Sequence, residues 1–539
     1  ASPNAEPWGA AIKIHAGNVA LETFAIRFAG SPRWGVPRQG VEPAVIADSD
    51  AADPFPLFHQ RKLAVTLRGL DIQGPNPSTA NREAVWLVRL SRTGSGAIES
   101  NRFQGGLVSV EGGPWRIADN LHHGPFAGSW SHGAFAVRYG RFVEIRNNRV
   151  EPPHGRERIE GQLYRFAVMT QSGHQIRVVG NVARGLGKRS DDPVDLNAPE
   201  ILLTEAYRLK YEGKAVALFE GGRVVRIAEP QGETPRAGDA VAILDGPQAG
   251  SWRRVLQVLD RRTVLLNEPI ALDHAGQPPA VSVASGFLDL TIQGNTIDLA
   301  SHGEASRSDS LVLAGSHFGL TIADNLIRGG RRGLRLLSSP TESAGPWGWS
   351  FTPILGARIT GNRIEDAQNA SELILQRRYG SFGTRDRLYL DAELRNNLFA
   401  FTASRSGAAP TRALVIGSAQ ALDPGEVRLV ESGNRLELTE AIPDASAPRI
   451  SVTKATINSR VELDATLDWP LVRPSPPSTR IAAQVVAPSG SAVEASSLSQ
   501  PRVSPPAKRT PATVARPQPR PLLAVPLRRL LPRFRYLRR

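Results

Sequence analysis

The sequence predicts an all-β solenoid of short strands, and three observations predict it. A frame of apolar residue, two small or polar residues, Asn, any residue, apolar residue recurs along the chain, most clearly in Ala357-Arg-Ile359-Thr-Gly-Asn362-Arg-Ile364. Gly and Pro are abundant, 50 and 42 of 539 residues, as short strands joined by many turns require. No stretch carries a long helical periodicity, and none approaches a transmembrane run.

The frame appears at Ile98/Asn101/Phe103, Ile117/Asn120, Ile145/Asn148/Val150, Val178/Asn181, Ile292/Asn295/Ile297, Ile322/Asn325/Ile327, Ile359/Asn362/Ile364, Leu394/Asn397/Phe399 and Asn434/Leu436. Its two apolar positions flank a short polar bend and point into one interior if two strands meet there. Asn suits the corner: after Gly it accepts left-handed backbone angles most readily, and its amide can bond its own backbone or an Asn stacked above. Consecutive asparagines stand 19, 28 and 33 residues apart in the first half and 30, 37, 35 and 37 in the second. Such spacing fits one coil per Asn with loops of variable length, each coil burying its apolar face against its neighbours.

On these residues the sequence resembles the right-handed parallel β-helix superfamily, the pectin-lyase-like fold of pectate lyases, polygalacturonases, alginate epimerases and phage tailspikes. The resemblance spans roughly residues 10 to 470 with one interruption, and it speaks to architecture more than to chemistry. It implies a saccharide-binding groove along one flank of the solenoid.

Taken in order, the chain divides into a first half of the solenoid (residues 1–205), an inserted module (206–281), a second half (282–470) and a tail (471–539). Strand–bend–strand patterns begin in the first half with Val65-Thr-Leu-Arg-Gly-Leu-Asp-Ile-Gln-Gly74. In the insertion, Gly-rich turns separate three alternating runs around Ala240–Leu244, Trp252–Val258 and Thr263–Leu266, which predicts a small antiparallel β module. The string from Gly238 to Gly250 is similar to SH3-like modules of the KOW type, several of which touch RNA. The tail is rich in Pro, Ser, Ala and Arg, cannot bury a core, and is expected to be disordered.

Net charge is +14, from 65 Lys and Arg against 51 Asp and Glu. Most of it lies beyond residue 470, where 13 Lys and Arg face the single acid Glu494. The nearly neutral body is a poor match for nucleic acid, whereas the basic tail suits an anionic polymer or membrane surface. Cysteine is absent, which excludes disulfides, thiolate metal sites and a Cys nucleophile. Met169 is the only methionine, so residues upstream of Ala1 are expected to be missing from the sequence.

Candidate chemistry falls on a few clusters. Hydrolysis of a glycosidic bond requires two carboxylates, and Asp191, Asp192 and Asp195 form the densest acidic group. Together with His302 and Arg335 they echo the order of polygalacturonase motifs, without the Asn-x-Asp element or the final lysine. The same three carboxylates also suit a calcium ion, the one cofactor option the sequence offers. Elimination or epimerisation requires a base beside a cation that neutralises a uronate, for which Arg378 with Tyr379, and His122, His123 and His132, are candidates. Trp347, Trp349, Tyr379 and His132 could contact sugar rings. The resemblance and these clusters together imply a secreted or cell-envelope β-helix that binds polysaccharide, with lyase, hydrolase or epimerase action on it left open; the alternative is a non-catalytic adhesion solenoid anchored by its basic tail.

Overall fold

A computed structural model of the protein describes residues 12–472 apart from residues 15–17, 28–44, 49–63, 75–85, 94, 125–132, 153–164, 188–199, 207, 231–232, 301–307, 339–351, 376–386, 403–411, 419–424, 439–448, 454–459 and 464–470. Residues 1–11 and 473–539, and with them the basic tail, lie outside the described residues. The chain is a parallel β-helix. A 12-stranded sheet forms one wall, and a 26-stranded sheet supplies two further ladders of strands that meet at a bend. One coil shows the pattern: Phe135–Arg141, Val143–Arg146 and Arg149–Glu151 pair in parallel with Ala167–His174, Arg177–Val179 and Val182–Arg184 of the next.

The apolar positions of the repeated frame become two continuous stacks. Ile98, Ile117, Ile145, Val178, Ile292, Ile322, Ile359 and Leu394 follow one another in register along one ladder. Val150, Ala183, Ile297, Ile327, Ile364, Phe399 and Leu436 do so along the 12-stranded wall. All but Leu436, which packs against them partly buried, lie in one core that runs the length of the solenoid. Because side chains alternate across a strand, the residues between them face outward.

Between the two stacks runs a ladder of nine asparagines, from Asn101 through Asn120, Asn148, Asn181, Asn295, Asn325, Asn362 and Asn397 to Asn434, each 3% exposed or less. In each of the first eight, the backbone N–H and Nδ2 both donate to Oδ1 of the next asparagine at 2.9–3.0 Å. Nδ2 also donates to a backbone carbonyl one coil back, as Asn325 does to Ile292 O at 2.9 Å. The left-handed angle falls elsewhere than the sequence suggests. Ser100, Asp119, Asn147, Gly180, Gly294, Asp324, Gly361, Asn396 and Gly433, each one residue before a ladder asparagine, have φ between 53° and 66°. The ladder Asn is thereby left to satisfy buried backbone groups, while its predecessor takes the strained turn.

The interruption is a seven-stranded antiparallel sheet, Arg208–Lys214, Ala217–Phe219, Val224–Arg226, Ala240–Ile243, Trp252–Asp260, Thr263–Leu266 and Ala280–Ser285, with its own core of Tyr211, Val225, Ile227, Val241, Ile243, Val255, Val264, Leu266, Val281 and Val283. It leaves the solenoid after Ala206 and returns at Gly286, and the ladder closes across it with Asn181 bonded to Asn295 at 2.9 Å. Its inner side is fixed to the solenoid: Ala240, Ala242, Leu244 and Ala280 join the solenoid core, Leu388 N–H donates to Leu244 O at 3.0 Å, and the buried Glu212 accepts from the Tyr389 hydroxyl. Within it, buried Lys210 is paired with Asp239 at 2.6 Å, and Asp239 also accepts from Ser285 Oγ and the Arg236 N–H.

Two outcomes follow. Asn325→Ala removes the acceptor of two donors and strands a buried carbonyl, and is expected to destabilise by about 3 kcal/mol in urea unfolding. The next coil makes the turn with Gly315-Ser316-His317 alone, in register with Ala206 and Phe287. A chain in which residues 207–285 are deleted, joining Ala206 to Gly286, is therefore expected to retain the β spectrum and a cooperative melt at a lower midpoint.

Candidate functional site

Along one flank, five successive strands begin with a polar or charged residue at the same register position: Glu200, Asp309, Arg332, Asn369 and Arg412. One row further along, the outward positions read Val168, Leu203, Val312, Arg335, Glu372 and Val415. All of the apolar members of that row are buried, so Arg335 and Glu372 interrupt an apolar outer face.

These residues form a linked ion network. Arg331 grips Asp309 with two bonds, Nε to Oδ1 at 3.0 Å and Nη2 to Oδ2 at 3.1 Å. Arg332 bridges the two carboxylates, with Nη1 at 3.0 Å from Asp309 Oδ2 and Nε at 2.8 Å from Glu372 Oε2. Arg335 Nε lies 3.1 Å from the same Glu372 oxygen, and Asn369 Nδ2 donates to Oε1 at 2.6 Å. The Asp309 and Glu372 side chains are 2% and 6% exposed, which raises the worth of each contact and the cost of losing one.

Among the described residues of this network, three guanidinium groups face two carboxylates, a surplus of one positive charge. Burial works against the charged form of Arg332, but Asp309 and Glu372 more than offset it and raise its pKa. For Arg335, burial and then the neighbouring Arg332 prevail and its pKa is lowered. The terminal nitrogens of Arg335 have no hydrogen-bond or ion-pair partner among the described residues. The arrangement can hold an oxyanion or a set of sugar hydroxyls. Neither described carboxylate is placed to donate a proton, since guanidinium or amide donors occupy both.

Of the sequence-derived candidates, Arg335 is the one that the structure places on this flank. Asp191, Asp192, Asp195, His302, Arg378, Trp347, Trp349, Tyr379 and His132 lie outside the described residues, and so does any calcium ligation by the three aspartates. Among the described residues no group of three His, Cys, Asp or Glu side chains is placed to hold a metal ion. The chain enters the strands at Glu200 and Asp309 soon after the stretches that hold Asp191–Asp195 and His302. Sequence reasoning missed Asp309, Arg331, Arg332, Asn369 and Glu372. The available signal was charge inside otherwise apolar strands, as in Ala370-Ser-Glu372-Leu-Ile374.

His122, a candidate base on sequence grounds, lies inside the solenoid. It occupies the inward row between Phe103 and Val150, fully buried, with its ring 5.8 Å from Phe103 and 5.9 Å from Phe135. Burial lowers its pKa to about 3, opposed by the nearby Gly106 backbone, and among the described residues no hydrogen bond of ordinary geometry meets either ring nitrogen. His317 is also interior, stacked on Phe287 at 5.2 Å, and burial lowers its pKa to about 4. Its Nδ1 donates to Gly315 O at 3.0 Å, which leaves Nε2 to accept from Thr204 Oγ1 at 2.7 Å.

Above about pH 5 both histidines are neutral in the folded chain, and each regains the ordinary imidazole value of 6.5 on unfolding. Below that value the unfolded chain binds more protons. Stability is therefore fully present above pH 6.5 and falls as pH drops toward about 4 and about 3. Each group contributes about 1.4 kcal/mol per pH unit inside its window. The melting temperature is expected to drop between neutral and mildly acidic buffer, and His122→Phe to flatten that dependence; an unchanged slope would contradict the buried neutral state.

No family model matches the chain, and no curated relative does. Among solved structures, the tailspike gp61 of Pseudomonas phage phi297 overlaps it at 11% identity, covering 61% of this chain and 74% of that one with a TM-score of 0.16. An overlap of that size carries no argument, and the architecture rests on the strand pairing: the chain is a parallel β-helix with an antiparallel insertion.

Proposed function

We propose that the protein is an extracellular or envelope β-helix that binds a polysaccharide along the flank bearing the Arg335 network. The observation that carries this reading is the register of Glu200, Asp309, Arg332, Asn369 and Arg412, one per strand. Neighbouring strands are about 4.8 Å apart, so the flank offers polar groups at short regular intervals along a line, which suits a linear polymer of hydroxylated rings. The underused donors of Arg335 add a point of recognition for a carboxylate or a pair of hydroxyls.

Binding is the activity that these side chains support. Cleavage or epimerisation would draw its acid and base from Asp191, Asp192, Asp195, His302 or Arg378, supplied by chain segments that adjoin this flank in sequence. Among the described residues, no helix is long and apolar enough to cross a membrane.

The test is a panel of neutral and acidic oligosaccharides, read by calorimetry and by release of reducing ends or unsaturated products. A ligand is expected to bind the wild-type chain and to weaken about tenfold with Arg335→Gln, a chain expected to keep its β spectrum with a lowered melting temperature. Equal affinity in the two chains would remove the flank as the site; new product ends would add catalysis to binding.

A further inference from the structure

A second group of chemically active side chains meets where the insertion lies over the solenoid. Arg141 and His174 pair in register at the ends of adjacent strands, and Phe142 and Asp289 follow at the turns, with φ of 54° and 57°. From the insertion, Arg254 reaches this corner and places Nη1 3.3 Å from His174 Nε2. Asp289 Oδ2 lies 3.8 Å from the same nitrogen. The Phe142 ring is 5.7 Å from the imidazole and 49% exposed.

Charge at this corner is unbalanced. Arg254 has no carboxylate within ion-pair distance among the described residues, and its guanidinium is met by a neutral ring. Burial and then the nearby Arg254 disfavour the charge of Arg141. Asp239, whose charge favours that of Arg141, also accepts from Lys210, Ser285 and the Arg236 N–H. Burial raises the pKa of Asp289, the other described acid at this corner, with Arg254 acting in the opposite sense.

We propose that this corner is a separate binding site for an oxyanion carried on a sugar ring, a carboxylate or sulfate of an acidic glycan, with Arg254 as the anion's partner and Phe142 as the face on which the ring packs. The sugar half rests on the polysaccharide reading above, whereas the oxyanion half does not. A guanidinium only donates, so Arg254 requires Nε2 of His174 to be the unprotonated acceptor and the imidazole to be neutral. Consistent with that, burial, Arg254 and Arg141 together lower its pKa to about 4. The charged groups that face His174 are Arg254 from the insertion and Arg141 and Asp289 from the solenoid. An oxyanion that neutralises Arg254 weakens the repulsion, so binding draws a proton onto His174 between pH 4 and 6.5 and tightens as pH falls.

The experiment uses the full chain carrying Arg335→Gln, so that the flank network contributes little. Sodium sulfate, an oligogalacturonate and its methyl ester are titrated at about pH 7.5 and about pH 5.5, in buffers of different ionisation enthalpy. Sulfate and oligogalacturonate are expected to bind several-fold more tightly at the lower pH with net proton uptake, and the methyl ester not to bind. Arg254→Gln is expected to abolish binding of both anions, and Phe142→Ala to weaken the oligogalacturonate about fivefold while sparing sulfate. Anion affinity unchanged by Arg254→Gln, or binding without proton uptake, would overturn the site. Sulfate binding without oligogalacturonate binding would overturn the sugar half and count against the glycan reading while leaving the oxyanion half in place.

Discussion

The asparagine ladder is the interaction on which the other features depend. An amide is the smallest side chain that presents a donor and an acceptor in one plane, so it can accept from the coil behind it and donate to the coil ahead. At the corner between two ladders of strands, backbone groups turn away from their regular partners and would be buried unpaired. The side chain of each ladder Asn satisfies them, as Asn362 does by donating to Ile322 O at 2.9 Å while accepting from the Asn325 N–H. That fixes the corner, and the corner fixes which residues of the flanking strands point inward. The aligned amide dipoles also polarise one another along the chain of bonds.

Electrostatics is used differently in three places. Lys210 and Asp239 are buried inside the insertion with their partners complete, a pair that holds geometry more than it adds stability. Glu212, Tyr389 and Arg387 join the insertion to the solenoid, and burial together with Glu212 pushes the Tyr389 hydroxyl well above its ordinary range, so it remains the donor. The flank around Arg335 and the corner around Arg254 differ from both in having more cation than acid.

The architecture was legible because the frame repeats: an Asn corner with apolar neighbours specifies the same local bend, and its recurrence at nine asparagines, in some with only one of the apolar positions, leaves little room for another fold. What the frame does not encode is the division of labour at the bend. Asn is tolerant of left-handed angles, so assigning them to it was natural, yet a buried ladder needs its amide in a fixed orientation and the preceding Ser, Asp, Asn or Gly takes the turn. His122 illustrates a second gap. As a member of a His-His pair it resembles a catalytic base, but in register with Phe103 and Val150 its side chain falls on the inward row. Asp309, Arg332 and Glu372 come together only because coils of different length stack, and Arg254 meets His174 because an entire module folds back over the corner. Contacts of that kind depend on loop lengths, which the repeat leaves unspecified.

The ladder does not run to the first coil. At the equivalent corners of the two leading coils stand Phe24 and Leu70, and Leu70 contributes only its backbone N–H to Asn101 Oδ1 at 2.9 Å. At the other extreme, Asn434 turns its amide onto Glu431 and Leu394 O instead of onward. A directional chain of amides is an invitation to head-to-tail polymerisation, because a second copy could prolong it indefinitely. Among the described residues, hydrocarbon stands at one end of the row of amides and an internal carboxylate takes the last amide at the other, so both ends of the described row are met by side chains of the same chain.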